Sequence, residues 1–147
     1  MNAPRKKGPR RSFLMAPADR ADLLEKQAAS GADAVILCVE DAVHPDRKAA
    51  GRAIAARALA TLDYGAKERF VRINSLDTEH WLADLEAFMR DGPPDGFIIT
   101  KVKSGEDIRV VARVLDNLER RNGIEVGRTM LSAYIETAEA LRDVYSI

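Results

Sequence analysis

Five charged side chains stand at or near the ends of apolar runs, where their types and spacing could do chemistry. Glu40 and Asp41 close the run Ala34 to Val39, Arg72 sits inside FVRIN, Lys101 follows FIIT, and Glu136 ends SAYIE. A charge at the end of a buried strand is either a solvated edge or part of a site. Several such groups facing one enclosed region are costly to leave unpaired, so they must be satisfied by one another, by a ligand or by a metal ion. Which of these applies depends on whether the surrounding elements bring them to one side.

The apolar pattern alternates between short β-like runs and longer helical ones. SFLMAP (12 to 17), DAVILCV (33 to 39), ERFVRIN (68 to 74), DGFIITKV (95 to 102) and RTMLSAYIE (128 to 136) read as five strands. Between them lie helical stretches with recognisable ends. ADRADLLEKQAASG carries Leu23, Leu24, Gln27 and Ala28 on one face and stops at Ser30-Gly31. Pro45 suits the first turn of a helix running to Leu62, since its missing N–H has no intrahelical partner there. Asp77 to Arg90 forms a third helix, ended by Asp91-Gly92-Pro93-Pro94. Ser104 with Asp107 resembles a capping box ahead of the stripe Ile108, Val111, Leu115 and Leu118, and TAEALRDVYSI (137 to 147) begins a fifth helix.

Strand-then-helix repetition implies parallel strands joined by right-handed crossovers. A doubly wound sheet would be complete at five strands. An eightfold β/α barrel needs about 250 residues and would be present only in part. No GxGxxG follows the first strand, so the dinucleotide-binding version of the open sheet lacks support, but periodicity alone does not separate the two architectures.

Alternation along a strand sorts the polar residues by face. Val35, Leu37 and Val39 share one side of the second strand, and Ile36, Cys38 and Glu40 the other; Val71 and Ile73 oppose Arg72 and Asn74. Leu131, Ala133 and Ile135 oppose Ser132, Tyr134 and Glu136, while Ile99 and Lys101 oppose Ile98, Thr100 and Val102. If the apolar sets pack on the helices, Cys38, Glu40, Arg72, Asn74, Lys101, Tyr134 and Glu136 converge near the C-terminal strand ends, where sites sit in parallel β/α folds.

Composition bounds the rest. The chain has 147 residues, 46% of them hydrophobic, and 23 Lys plus Arg against 23 Asp plus Glu, so it has no overall pull toward nucleic acid or an acidic membrane surface. No apolar stretch is long enough for a membrane span or a secretory signal, and a cytoplasmic protein is expected. The single cysteine, Cys38, excludes an internal disulfide. Residues 1–11, with Arg5, Lys6, Lys7, Arg10 and Arg11 among two prolines, read as a disordered basic tail.

RSFLMAPADR, GADAVILCVEDAVHPDRKAAGR, VRIN with LDTEHW, ITKVKS and YIETAEAL, in this order over residues 11 to 147, together resemble the citrate lyase β-subunit-like lyases. These are relatives of malyl-CoA lyase within the HpcH/HpaI aldolase group. The resemblance implies an α/β fold, a (β/α)8 TIM-type barrel of which residues 12–147 supply about the first five units. It implies Mg2+-dependent cleavage or formation of a carbon–carbon bond between an acyl-CoA unit and a small 2-oxo acid, in an enzyme expected to be a homo-oligomer when complete. By the same resemblance Arg72 holds the oxo acid's carboxylate, Glu136 is a Mg2+ ligand, and Glu40 and Asp41 sit behind the metal holding its waters. Lys101 joins the catalytic candidates, adding positive charge near the substrate or pairing with Glu40.

Those roles suit the residue types. Mg2+ takes oxygen ligands and keeps several waters, and a planar guanidinium can grip a carboxylate with two parallel hydrogen bonds. Structural alternatives stand beside them: Glu136 as an acid favouring a helix N-terminus, Arg72 as a buried ion-pair partner, Glu40 and Asp41 as caps for the helix at Pro45. Cys38 reads as a small buried filler, and His44 and His80 as surface residues. The chain also departs from the family. Cys38 stands where an Asp is usual, Lys103 where a Glu is usual and Glu139 where an Arg is common; PAD replaces a Pro-Gly pair before Arg20. The family's second metal carboxylate lies on the strand after YIET, beyond Ile147. The rival expectation is therefore an inactive half-barrel, an interaction module or remnant with open edges.

Overall fold

The computed structural model describes residues 8–147. Five strands, β1 (Phe13–Pro17), β2 (Ala34–Cys38), β3 (Glu68–Arg72), β4 (Gly96–Ile99) and β5 (Met130–Ala133), form one sheet in the order β1-β2-β3-β4-β5. Every neighbouring pair is parallel, as in Val35 opposite Arg69 and Phe97 opposite Leu131. A doubly wound sheet reverses its strand order at a switch point, whereas this order never reverses. The architecture is a five-stranded arc of a β/α barrel.

Five helices connect and follow the strands: α1 (Ala21–Ala28), α2 (Lys48–Thr61), α3 (Trp81–Asp91), α4 (Gly105–Arg121) and α5 (Ala138–Arg142). Pro45 opens a 3-10 turn, Pro45–Arg47, that runs directly into α2. Ser104 and Asp107 make the reciprocal capping box expected at the start of α4. The expected fifth helix is shorter than its pattern, ending at Arg142 and followed by a 3-10 turn, Val144–Ser146.

Alternation divides the buried apolar residues into two clusters. Val35, Leu37, Val39, Val71, Ile73, Phe97 and Ile99 pack with Leu24, Leu59, Phe88, Val111 and Leu115 from the helices. The other strand face gathers Ala34, Ile36, Phe70 and Ile98 with Met130 and Tyr134, and includes no helical residue. Helices α1 to α4 therefore lie on one side, and the opposite face is the barrel interior. A cavity of about 460 Å3 opens there, lined by Phe13, Ile36, Phe70, Ile98 and Tyr134 among others.

Of the expected basic tail, residues 1–7 lie outside the described residues. Arg10 is held: its guanidinium donates to the Glu68 carboxylate and lies 5.6 Å from the Phe70 ring centre. Arg11 pairs with Asp33, whose carboxylate also accepts from the Arg11 and Ser12 backbone N–H groups and the Ser12 hydroxyl. These donors, the Arg11 guanidinium foremost, hold Asp33 down to about 2. The segment ahead of β1 thereby closes the N-terminal end of the barrel, away from the C-terminal strand ends.

Candidate active site

The C-terminal ends of β2, β3, β4 and β5 bring the five sequence-selected residues into one network. β3 delivers Arg72 to the barrel interior with its side chain only 9% exposed. The Arg72 Nη2 lies 2.8 Å from Glu40 Oε2, 3.5 Å from Asp41 Oδ2 and 3.7 Å from Glu136 Oε2. Its guanidinium lies 5.3 Å from the Tyr134 ring centre, and Nη1 reaches only the Cys38 sulfur, at 3.8 Å. The Arg72 Nε is buried and has no hydrogen-bond partner among the described residues. A buried guanidinium donor left idle is one that a ligand can claim.

Glu40 follows β2 and is as buried as Arg72. One of its oxygens accepts from Lys101 Nζ at 2.7 Å; the other meets Arg72 and accepts from the Asp41 backbone N–H at 2.8 Å. Lys101 Nζ also lies 3.3 Å from Asp41 Oδ1. The hydrogen bond to the Glu40 carboxylate, foremost, raises the Lys101 ammonium above its ordinary value. Burial pulls Arg72 down, but Cys38, Glu40 and Glu136 outweigh it, so the guanidinium stays charged.

Alternation alone misplaces Lys101. In β4 the interior residue is Ile98, while Ile99 packs against the helices, so strict alternation would turn Lys101 outward with Ile99. Lys101 reaches the site because its φ is 51°, a left-handed backbone that costs a side-chain-bearing residue about 1 kcal/mol. Asn74, expected to converge with Arg72, lines a cavity with Glu40, Asp41 and Lys101 and is held from the helix side. Its backbone N–H and side-chain amide both donate to Asp84, at 3.0 and 2.7 Å.

Two contributors escaped the pattern of the sequence. Lys48 donates to the carbonyls of Val39 and Glu40 at 2.9 and 2.6 Å, and burial lowers its pKa. Its partners are backbone atoms, so no residue type announces it. Asp84 is wholly buried, pairs with Arg52 at 2.7 Å and pins the loop after β3 through Asn74. A signal for it existed, because it occupies the apolar stripe of Trp81, Leu85 and Phe88. Beside the network lies a cavity of about 240 Å3 lined by Glu40, Asp41, Lys48, Asn74, His80 and Lys101 among others, with neither Arg72 nor Glu136 in its lining.

The donor set fits one class of cation in part. Glu136 Oε1 accepts from the Lys101 backbone N–H at 2.8 Å, while Oε2 carries no hydrogen bond among the described residues. No group of three or more His, Cys, Asp or Glu side chains that could hold a metal occurs among those residues. A carboxylate oxygen left open, like Glu136 Oε2, suits Mg2+, which is satisfied by one or two carboxylates with substrate oxygens and water. No helix among the described residues is long and apolar enough to cross a membrane.

Comparison with known proteins places the chain in a family. Residues 11–147 match HpcH/HpaI aldolase/citrate lyase. A (3S)-malyl-CoA thioesterase of Cereibacter sphaeroides is 40% identical over 125 residues, covering 85% of this chain and 44% of the relative. An L-malyl-CoA/beta-methylmalyl-CoA lyase of the same species is 37% identical over 141 residues, 95% of this chain and 44% of the lyase. The solved citrate lyase beta subunit of M. tuberculosis, complexed with oxaloacetate and magnesium, superposes with a TM-score of 0.65 at 30% identity. That match covers 87% of this chain and 48% of the M. tuberculosis chain. The chain thus spans about half the length of the relatives it matches.

Proposed function

The chain belongs to the HpcH/HpaI aldolase/citrate lyase family, and from that premise we propose that it carries part of the active site of a Mg2+-dependent carbon–carbon lyase. The substrate class is a 3-hydroxy acyl-CoA such as citryl- or malyl-CoA, cleaved into, or formed from, an acyl-CoA and a small 2-oxo acid. The observation that carries this is Arg72, a buried guanidinium with an idle Nε, ringed by carboxylates at the C-terminal end of a barrel strand.

In this reading the substrate carboxylate docks on the Arg72 edge that Glu40 leaves free, held by charge-assisted hydrogen bonds. The Tyr134 ring beneath the guanidinium fixes its plane. Glu136 Oε2 would enter the coordination shell of Mg2+, with Glu40 and Asp41 holding its waters. When bound, Mg2+ polarises the substrate oxygen that becomes the oxo group and offsets its developing charge. In the cleavage direction the hydroxyl proton passes to water, the bond from the hydroxyl-bearing carbon to the carbon beside the thioester breaks with its electron pair passing to the latter, and that carbon takes a proton from water to give the acyl-CoA. The network supplies fixed charges around this centre and needs no reorganisation as the bond breaks.

Isothermal titration of the chain with Mg2+ and with oxaloacetate or glyoxylate tests the proposal. Glu136→Ala is expected to abolish Mg2+ binding. Arg72→Ala should weaken the oxo acid roughly 10- to 100-fold, the worth of a charged hydrogen bond. Unchanged affinities in both variants would sink it. The rival, a non-catalytic half-barrel that acts through its edges, is favoured by one observation: Phe13, Leu14 and Met15 in β1 are all 41–48% exposed.

A further inference from the structure

We propose that Lys101 is a positioning residue whose left-handed backbone lets one side chain and one amide fix two carboxylates from different strands: Glu40 after β2 and Glu136 after β5. The inference rests on the lyase reading for the use made of that spacing, but its geometry stands apart from it.

Lys101 is the only residue other than glycine with positive φ among the described residues. Backbone strain of this kind persists where the surroundings over-determine it. Here three contacts do so. The Lys101 N–H, which an extended strand would give to the β-ladder, donates to Glu136 Oε1 at 2.8 Å. Its ammonium donates to Glu40 Oε1 at 2.7 Å and lies 3.3 Å from Asp41 Oδ1. With φ in the ordinary range the residue would follow Ile99 toward the helices and forfeit both carboxylates. Thr100 anchors the turn, its hydroxyl donating to the Ile73 carbonyl at 3.2 Å.

The consequence for Glu136 is an assignment of its two oxygens. Oε1 is taken by the amide, and Oε2 is left toward Arg72 and the centre of the site. Glu40 is likewise fully engaged. Lys101 therefore does not touch the substrate in this scheme. It sets which carboxylate oxygen is offered to a cation, and where.

A positioning role and a mere positive charge make opposite forecasts. A lysine acting only by charge repels a divalent cation, so its removal would tighten cation binding. A positioning lysine, once removed, would weaken it. Lys101→Gly keeps the amide and tolerates φ of 51° but loses the ammonium; Lys101→Met loses the ammonium and keeps the strain. Mn2+ binding by electron paramagnetic resonance should weaken at least about 5-fold in both, with partial rescue by Lys101→Arg, and Lys101→Met should melt below Lys101→Gly. In the metal-free protein, amide hydrogen exchange at position 101 should be slow, and at least about 10-fold faster in Glu136→Ala. Equal or tighter Mn2+ binding in Lys101→Gly overturns the proposal, as does an exchange rate that ignores Glu136. If the unmutated chain takes up no Mn2+, the lyase reading fails, and the exchange data alone decide the positioning claim.

Discussion

Arg72 and Tyr64 are opposite solutions to burying a polar group. Arg72 is surrounded by carboxylates that keep it charged, and its one idle donor lies within the network at the strand ends, where a ligand can claim it. The Tyr64 hydroxyl is buried with no hydrogen-bond partner among the described residues, and burial pushes its pKa from near 10 to about 12. Burial penalises only the ionised phenolate, so the group costs the fold nothing extra through ionisation below pH 10, and stability falls as pH rises from there through about 12. Tyr64→Phe removes the unsatisfied hydroxyl and is expected to raise stability by about 1 kcal/mol at neutral pH. It should also flatten the alkaline limb of the stability curve. Urea unfolding at pH 7 and at pH 11 checks both, and a destabilised variant would show that the hydroxyl has a partner in solution.

At the scale of the element, β4, which leads directly into the site at Lys101, is as short as β5, four residues each. Gly96 opens it where the neighbouring strands crowd the interior face. A Cβ there would stand 2.7 Å from Phe70 Cε1 and 2.8 Å from the Met130 carbonyl oxygen. The ring could turn aside, but the backbone oxygen cannot move without disturbing the pairing of β4 with β5. Gly96→Ala is expected to lower stability by about 2 kcal/mol, the scale of overpacking in a dense interior. An unchanged urea midpoint would mean that β5 is free to shift. Because β5 leads to Glu136 and β4 to Lys101, the same variant should also speed amide exchange at position 101.

At the scale of the whole molecule, the sheet has two free edges among the described residues. In β1, Phe13 and Met15 face the interior and Leu14 the helix side, and all three are substantially exposed. Unpaired N–H and C=O groups flanked by apolar side chains invite another strand. The chain is expected to self-associate with rising concentration in analytical ultracentrifugation, and Leu14→Lys to suppress this without changing the fold. A monomer at every concentration would remove the support for the interaction-module reading. Since the relatives are about twice as long, extension to their length should cover the same edges and abolish the association.

The sequence by itself determined the five β/α units, the helix starts at Pro45 and Ser104, and the family to which the chain belongs. Each rests on local information: turn residues, caps and apolar periodicity act within a few positions of one another. Alternation also brought Glu40, Arg72 and Glu136 to a common side, because a strand's period is fixed by its backbone. Only the tertiary structure decided the rest. Sequential order of the strands, which chose a barrel arc over a doubly wound sheet, is set by long-range pairing. The inward turn of Lys101 depends on a backbone angle stabilised by Glu40 and Glu136, 61 and 35 residues away. Asn74 is held by Asp84, a buried acid whose partners come from α2 and the loop after β3. Where a side chain's direction is fixed by partners distant in sequence, periodicity has no means of reporting it.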